Sequence, residues 1–363
     1  MTPRIAVIYL SFHSEPYIED VAAALAAENY PKEALEFIIV DNPHPTHGSS
    51  VPYLTEHILP RSEKDLPKVT ILPQTENLGF AGGNNKGVEY ALAHNFDYVF
   101  FLNNDAYPGP NTFGPLAAAM ETDPKIAIAQ SFIRLHPDRH LINTSGNCIH
   151  FLGFGYCRDY RTPVEHKNYS SVVDVPYASG AAFTVRTSFI HDYGAWDQDF
   201  FLYHEDMEWS LRAKALDHRV VMVRDSEVFH AYDFKRSITK YFWMERNRFA
   251  VWLMYLKWGT LILILPALAV MELGSYFFAL KGGWVGEKHK VYKYWLQSSN
   301  WKLWLTKRRQ IQAARRISDR ELTNDFTGRI DFQEPDMESV LLKYVANPFF
   351  SAYWWVARRL IFW

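Results

Sequence analysis

Tyr98–Asp105 reads YVFFLNND, so five apolar residues are followed at once by three polar ones. An apolar run of this length is typical of a strand that is buried on both faces of a parallel sheet. In open α/β sheets, ligands bind beyond the carboxyl ends of the strands. The stretch therefore predicts a central strand over residues 98–102, which carries the polar residues 103–105 to the ligand edge of the sheet.

Apolar runs of the same kind recur on both sides of this strand and alternate with amphipathic stretches. The further predicted strands are Ile5–Leu10, Phe37–Val40, Val69–Leu72 and Val220–Val223, and the predicted helices are Tyr17–Ala27, Ala81–His94 and Glu205–Leu216. This alternation predicts βα units stacked into a mostly parallel, Rossmann-like sheet. The fold class is therefore expected to be α/β.

The composition changes beyond Asp233. Ten of the twelve tryptophans follow that residue, together with an apolar stretch, Gly259–Leu280, and a largely basic one, Lys281–Arg320. We therefore predict two domains. The first is an α/β catalytic domain over residues 1–235, and the second is a helical region over residues 236–363 that associates with a membrane and binds the acceptor substrate of the reaction.

Gly259–Leu280 is long enough to cross a bilayer, for which about 20 residues suffice. Pro266 and Glu272 equally indicate a re-entrant or interfacial helix, and an ordinary buried helix is a further alternative. The tryptophan-rich, basic flanks favour an anionic cytoplasmic leaflet. Because the N-terminus reads straight into a strand without a secretory signal, we expect peripheral, re-entrant or single-spanning attachment at the cytoplasmic face of the cell membrane.

Charge and cysteine content narrow the function classes. A formal net charge of -2 and a pI near 6.7 give no overall polybasic signal, so no nucleic-acid partner is expected. Cys148 and Cys157 are too few for a disulfide framework or a zinc cluster, and they fit a reducing compartment.

Glu76–Gly87 reads ENLGFAGGNNKG and opens a predicted helix. Free backbone N–H groups and the helix dipole at such a position suit an anionic ligand. The spacing is neither that of a P-loop nor that of the dinucleotide fingerprint, which excludes a kinase or dehydrogenase on this motif. A tight start to a helix, without any ligand, is the alternative.

Asp105, Asp206 and His230 are the residues that could carry chemistry. Asp105 could hold a divalent cation that neutralises a diphosphate, although Asn and Asp are also ordinary turn residues. Asp206 lies in the first helical turn after an aromatic run and could take a proton from a sugar hydroxyl; the helix dipole also favours acids there. His230, otherwise a structural histidine, would complete with Asp105 a mixed site that manganese tolerates better than magnesium.

Five stretches together carry a family resemblance: Ile39–Asn42, Glu76–Gly87, Phe101–Asp105, Phe200–Asp206 and Val228–His230. In their order and spacing they resemble the inverting family-2 glycosyltransferases of the GT-A fold, most closely the rhamnosyltransferase-like branch. The resemblance covers about residues 4–250 and implies a GT-A catalytic domain that uses a nucleotide-diphosphate sugar.

The resemblance also implies roles for the catalytic and metal-binding residues. Asp206 corresponds to the general base of the acidic motif, and Glu205 is its neighbour. Asp105 corresponds to the direct ligand of a divalent metal, Mn²⁺ or Mg²⁺, and His230 to the late metal-binding histidine. Asp206 would deprotonate an acceptor hydroxyl while the metal stabilises the departing nucleotide diphosphate, in one in-line displacement with inversion.

The donor contacts implied by the resemblance lie at the ends of the predicted strands. Asp41 corresponds to the carboxylate that reads the nucleotide base. Asn103 stands at the other outer position of the DxD motif, where it departs from the family by bringing no charge. The remaining predicted contacts to the nucleotide sugar are Asn77, Gly79, Gly82, Asn84, Asn104 and Gly180.

The expected reaction moves a sugar, from dTDP-rhamnose or another NDP-hexose, to a hydroxyl of a lipid-linked or polysaccharide acceptor. Three other interpretations compete with it. A non-catalytic sugar-nucleotide or glycan-binding module on the same fold would not need Asp206. A nucleotidyltransferase would carry a basic, glycine-rich signature near its N-terminus, which Arg4–Glu15 does not show. A membrane scaffold would lack donor hydrolysis.

Overall fold

The computed structural model describes residues 2–232, 240–331 and 340–363. Its strands are β1 (Ile5–Ser11), β2 (Leu35–Asp41), β3 (Lys68–Pro73), β4 (Tyr98–Leu102), β5 (Ala106–Pro108), β6 (Ile126–Leu135), β7 (Ile142–Thr144), β8 (Asn147–Ile149), β9 (Gly155–Cys157), β10 (Val172–Asp174), β11 (Ala182–Arg186) and β12 (Arg219–His230). Its helices are α1 (Ile18–Ala26), α2 (Val51–Tyr53), α3 (Gly79–Ala93), α4 (Phe113–Thr122), α5 (Thr187–Tyr193), α6 (Glu205–Ala215), α7 (Tyr241–Tyr255), α8 (Trp258–Lys281), α9 (Val285–Trp295), α10 (Ser298–Ala314), α11 (Asp319–Leu322) and α12 (Asn347–Leu360).

The chain forms two compact units. The first, here called the sheet unit, comprises residues 1–146, 157–210 and 218–232. The second, the helical unit, comprises residues 147–156, 211–217 and 233–363. The domain boundary predicted between residues 235 and 236 lies outside the described residues.

One mixed sheet organises the sheet unit, with the strand order β10-β12-β6-β11-β4-β1-β2-β3. The neighbours β3, β2, β1 and β4 are parallel to one another, and β6 is parallel to β12. Between these groups, β11 runs antiparallel to both β4 and β6. The predicted mostly parallel α/β sheet is therefore confirmed, and the reversed strand β11 is an addition, since an apolar run does not reveal strand direction.

The glycines of α3 allow this helix to lie close to β1. A Cβ atom at Gly83 would come within 2.5 Å of the Leu10 side chain, and one at Gly87 within 2.6 Å of the Ile8 side chain. Real Cβ atoms do not approach other atoms so closely. Helix packing on the sheet is therefore one physical reason for glycine at these two positions.

Aromatic side chains fill the space beneath α6. Trp209 of α6 lies 4.6 Å from Trp196, 5.6 Å from Phe101 of β4 and 6.0 Å from Phe183 of β11, measured between ring centroids. Trp209 is fully buried. Since each large aromatic buried in this way contributes several kcal/mol, the cluster fixes the start of α6 against the central strands.

The helical unit has its own aromatic core. Trp252 of α7 stacks on Phe326 at 5.3 Å and donates its indole N–H to the Phe151 carbonyl at 2.7 Å. Phe151 in turn stacks on Trp354 of α12 at 5.0 Å. These contacts give the tryptophan-rich segment a structural role within the unit, because buried indole N–H groups need a partner.

Helix α8 runs without interruption through Pro266. Of the helices in the part of the chain that the structure describes, it is the one long and apolar enough to cross a membrane by length and composition. Its buried residues are Thr260, Ile264, Ala267 and Ala279, while most of its large apolar side chains are exposed. The apolar helix predicted from the sequence is thus present, and it is not buried as an ordinary core helix.

Candidate active site

Strand pairing brings Asp105 and His230 together, although 125 residues separate them. Asp105 follows β4, and the next residue, Ala106, begins β5 and pairs directly with His230 at the end of β12. His230 Nε2 lies 3.2 Å from Asp105 Oδ1. The two predicted metal ligands therefore lie next to each other at the carboxyl end of β4, where ligands bind in sheets of this kind.

Asn143 of β7 orients the imidazole of His230. Its Oδ1 lies 3.0 Å from His230 Nδ1, and both residues are buried. This contact fixes the orientation of the ring, so that Nε2 is directed at Asp105. Sequence reasoning missed Asn143, since a short polar strand carries no signal of this contact.

The donor set at this centre fits a divalent metal. A buried carboxylate and an imidazole, the latter held by an outer hydrogen bond, are a common arrangement for metal ligands. Among residues 2–232, 240–331 and 340–363, no group of three or more His, Cys, Asp or Glu residues could hold a metal. A metal ion held by Asp105 and His230 would still accept oxygen ligands from other molecules.

The acidic motif begins α6 after a strained loop. Phe201, Tyr203 and His204 all have positive φ angles, of 61°, 67° and 66°. Non-glycine residues rarely adopt this region, and such strain is concentrated at functional sites. Asp206 follows this loop, and its Oδ2 accepts a hydrogen bond from the Gly180 N–H at 3.0 Å.

Burial raises the pKa of both acidic residues at the start of α6, Glu205 and Asp206. The Met207 N–H donates to Asp206 Oδ1 at 2.7 Å, so both carboxylate oxygens accept backbone hydrogen bonds. Burial nonetheless raises the pKa of Asp206 to about 6, because it outweighs the lowering effect of these N–H groups. Burial and, second, the Asp206 charge raise the pKa of Glu205 well above its usual range. Asp206 can therefore accept a proton at neutral pH.

The end of β4 links the two centres. The Asn103 N–H donates to the Ala181 carbonyl at 3.0 Å, beside the pairing of Leu102 with Ala182. The preceding residue, Gly180, holds Asp206. Asn103–Asp105 and Asp206 thus meet at the same end of two neighbouring strands, and a contact between Gly180 and the sugar donor stays a prediction.

Asp41, the predicted reader of the base, is buried at the end of β2. It accepts hydrogen bonds from Ser49 Oγ at 2.6 Å and from the Ser50 N–H at 3.0 Å, with Ser11 Oγ at 3.3 Å. These contacts fix the loop that follows β2. Its role in reading a nucleotide base stays a prediction.

Amide side chains shape the loop that precedes α3. Asn42 accepts from the Leu78 N–H at 2.8 Å and donates to Asn77 Oδ1 at 2.9 Å, and the Gly79 N–H donates to the same oxygen at 2.9 Å. Asn84 donates to the Phe80 carbonyl at 3.0 Å. Asn42, the last residue of the motif Ile39–Asn42, thus fixes the loop together with Asn77.

The start of α3 differs from the expectation of free N–H groups. The Phe80 N–H donates to the Phe201 carbonyl at 2.8 Å, and the Ala81 N–H approaches the same oxygen at 3.4 Å. Gly79 has φ +72°, and a Cβ there would lie 2.5 Å from the Phe201 ring. The protein itself therefore satisfies two of the amides expected to bind an anion. Contacts of Asn77, Gly79, Gly82 and Asn84 with a donor stay predictions.

Asn104 supports the turn between β4 and β5. Its side chain donates to the Phe12 carbonyl at 3.3 Å, and its own carbonyl accepts from the Tyr9 hydroxyl at 3.0 Å. Burial and, second, the Asp105 charge raise the pKa of Tyr9 well above its usual range. Tyr9 is therefore a neutral donor, which holds the turn that presents Asp105.

The sequence model of the family described as glycosyl transferase family 2 matches residues 6–193, just over half of the chain. This chain belongs to glycosyl transferase family 2. Among curated proteins, none matches its sequence.

Solved structures show the same fold for this family-2 chain. The structure of S. aureus TarS 1-349 in complex with UDP-GlcNAc is 15% identical, with a TM-score of 0.50, and the match covers 90% of this chain and 84% of that one. GalNAc-T7 with UDP, GalNAc and Mn²⁺ is 13% identical, with a TM-score of 0.50, and the match covers 70% and 48%. A longer structure of S. aureus TarS is 17% identical, with a TM-score of 0.48 and coverage of 73% and 43%. This chain thus spans less than half the length of the GalNAc-T7 chain and of the longer TarS chain.

Proposed function

We propose that this family-2 chain is a metal-dependent, inverting glycosyltransferase that takes a sugar from a nucleotide-diphosphate donor. The observation that carries the proposal is the meeting of two centres at the end of β4. One is the Asp105–His230 pair, 3.2 Å apart, and the other is Asp206, held by the Gly180 N–H. A metal-binding pair and a base are the two groups that such a displacement requires.

Asp206 is the proposed general base. Two backbone N–H groups hold its carboxylate in place, so its position does not depend on a flexible side-chain partner. With a pKa of about 6, it is ionised at neutral pH and basic enough to accept the proton of an attacking hydroxyl. A base that acts on the acceptor, without a covalent sugar intermediate, gives inversion at the anomeric carbon.

Asp105 and His230 are the proposed ligands of Mn²⁺ or Mg²⁺. When bound, such an ion would neutralise the charge that develops on the departing nucleotide diphosphate. Asn143 keeps His230 Nε2 directed towards Asp105, so the chain holds the two proposed ligands close together before an ion arrives. Asn103, Asn104, Asp41 and the segment around Gly79 are the proposed surroundings of the donor.

The donor and acceptor are proposed by chemical class. The solved structures named above hold UDP-GlcNAc, or UDP with GalNAc and Mn²⁺, which supports a nucleotide sugar and a divalent metal here. The rhamnosyltransferase-like motifs make dTDP-rhamnose or another NDP-hexose the proposed donor. The exposed apolar helix α8 supports a lipid-linked or polysaccharide acceptor at the cytoplasmic face of the membrane.

A thermal-shift screen of nucleotide-diphosphate sugars, with and without Mn²⁺, tests the metal-dependent donor site. We expect one donor class to raise the melting temperature only when Mn²⁺ is present. His230→Ala should abolish this shift, whereas His191→Ala should keep it, because His191 is a largely exposed histidine on α5. Equal shifts in both variants would contradict the metal site. Donor binding without transfer to any acceptor would favour the non-catalytic binding module.

A further inference from the structure

One face of α8 is apolar and exposed along the whole helix. Leu265, Leu273, Phe277 and Leu280 have 58%, 74%, 70% and 53% of their surface exposed. Their spacing of eight, four and three residues places them on one side of a helix. A contiguous apolar face of this length is uncommon on a soluble monomer and marks an interaction surface.

Ion pairs of Glu272 tie one edge of this apolar face of α8 to the helical unit. Glu272 Oε2 lies 2.8 Å from Lys288 Nζ on α9, Arg248 on α7 pairs with Glu272 Oε1, and the Tyr292 hydroxyl donates to Glu272 Oε2 at 3.1 Å. Arg248 and Lys288 are themselves buried. Glu272 lies near the middle of α8, so a helix that crossed the bilayer would carry these charges into the hydrocarbon, which is unfavourable. The packing therefore favours α8 lying along a membrane surface.

The C-terminal helix α12 extends the same surface. The Tyr353 hydroxyl donates to the Leu263 carbonyl of α8 at 2.6 Å, and Phe350, Trp354 and Ala357 bury the inner face of α12. On the outer face, Trp355 is 61% exposed. An open apolar groove of about 390 Å³ lies between the two helices.

The charges around this surface are of one sign. Residues 258–281 and 340–363 contain a single acidic residue, Glu272, which is engaged by Arg248 and Lys288. Their basic residues are Lys281, Lys343, Arg358 and Arg359. The guanidinium of Arg359 stacks over the exposed Trp355 ring at 3.5 Å. An apolar face with tryptophan and a basic rim complements an anionic lipid leaflet rather than a second copy of the same positive surface.

We propose that α8 and α12 together form a monotopic docking surface that lies in the plane of an anionic membrane leaflet. The exposed side chains of α8 enter the acyl boundary, and the basic residues contact lipid headgroups. Lipid acyl chains occupy the apolar groove between the helices. This deepens the membrane part of the proposed function and is independent of the donor site.

Vesicle flotation of the full chain tests the proposal. Binding should be at least tenfold stronger to vesicles that contain phosphatidylglycerol than to vesicles of phosphatidylcholine alone. The double variant Leu273→Glu, Phe277→Glu should bind at least tenfold more weakly, while Leu92→Glu, which changes an exposed leucine of α3, should bind as the parent does. Unchanged thermal unfolding and an unchanged donor-induced shift would show that the double variant remains folded and that the donor site is intact.

Alkaline carbonate extraction of vesicle-bound protein separates in-plane docking from spanning. The parent should be released into the supernatant, because α8 does not cross the bilayer. Retention in the pellet would overturn the proposal in favour of a spanning helix. Equal flotation of the parent and the double variant, or a stable dimer that forms through this face and does not bind vesicles, would also overturn it. If no donor raised the melting temperature of the parent, that result would contradict the glycosyltransferase proposal and leave the docking surface unaffected.

Discussion

Buried acidic side chains in the two units behave in opposite ways. In the sheet unit, backbone N–H groups hold Asp206, and burial raises the pKa of both Glu205 and Asp206. In the helical unit, burial would also raise the pKa of Glu245, but the charges of Arg248 and Lys288 lower it to about 2. Charges with close partners stabilise a fold, whereas an acid kept basic by burial is available for proton transfer.

The largest expected effect is the loss of sugar transfer when the Asp206 carboxylate, whose pKa is raised, is removed. Asp206→Asn keeps the shape and can still accept the Gly180 N–H, but it cannot take a proton. We expect sugar transfer to fall by roughly 10²–10⁴-fold, the usual contribution of a general base. Donor affinity, measured by thermal shift, should be unchanged. Asp192→Asn, an exposed carboxylate on α5, is the matched control; near-normal turnover of Asp206→Asn would show that another group is the base.

The second effect is a difference in the free energy of unfolding between variants of Glu245 and of Glu205. Glu245→Gln leaves the positive charges of Arg248 and Lys288 buried with one carboxylate fewer, at a cost of about 3–5 kcal/mol. Glu205→Gln keeps a similar shape and leaves no buried cation without its partner, so it should cost less than about 1 kcal/mol. Denaturant unfolding followed by tryptophan fluorescence measures both. Equal losses of unfolding free energy in the two variants would contradict the contrast between Glu245, which stabilises the helical unit, and the acidic residues at the start of α6.

A third effect concerns the hydrogen bond that orients His230. Asn143→Leu removes the acceptor for His230 Nδ1 and should lower Mn²⁺ affinity by roughly 10–100-fold. Asn143→Asp retains an acceptor oxygen and should recover much of that affinity. Calorimetric titration with Mn²⁺ measures this directly. Two variants that bind equally weakly would point to loss of packing rather than loss of orientation.

The smallest expected effect is the opposite pH dependence of stability. Glu245, with its lowered pKa, contributes stability that is present above pH 4.5 and is lost as the pH falls towards about 2. The advantage of the parent over Glu245→Gln should therefore shrink over that range. Asp206, with its raised pKa, destabilises the fold increasingly as the pH rises from 3.8 through about 6. Asp206→Asn should therefore gain stability relative to the parent over that range, as urea unfolding at several pH values would measure.

The elements of the sheet could be predicted from the sequence, because apolar runs mark buried strands directly. The predicted strand over residues 98–102 is β4, and the predicted strand Ile5–Leu10 is β1 with one residue more. Strand direction could not be predicted, since the run that becomes β11 reads the same in either orientation. The family motifs also placed Asp105 and His230 at one site, which their separation along the chain would not suggest.

Contacts between residues that are distant in the sequence could not be predicted from local patterns. Asn143 is selected by its position beside His230, and nothing in its neighbouring residues indicates that contact. Glu272 was interpreted as an interruption of an apolar helix, whereas it is the partner of Arg248, 24 residues earlier. The glycine-rich stretch Glu76–Gly87 predicts an anion-binding start of a helix, and it does not reveal that Gly83 and Gly87 allow close packing on β1. Each depends on the three-dimensional arrangement, which a local pattern does not encode.

The central claim is that Asp206 accepts the proton during transfer, and a pH–rate profile tests it most directly. Because its pKa is about 6, single-turnover transfer with saturating donor and Mn²⁺ should rise about tenfold per pH unit below pH 6 and level off above it. The residual activity of Asp206→Asn should lack this step. A parent profile that is flat between pH 5 and 7, or the same step in Asp206→Asn, would contradict the claim.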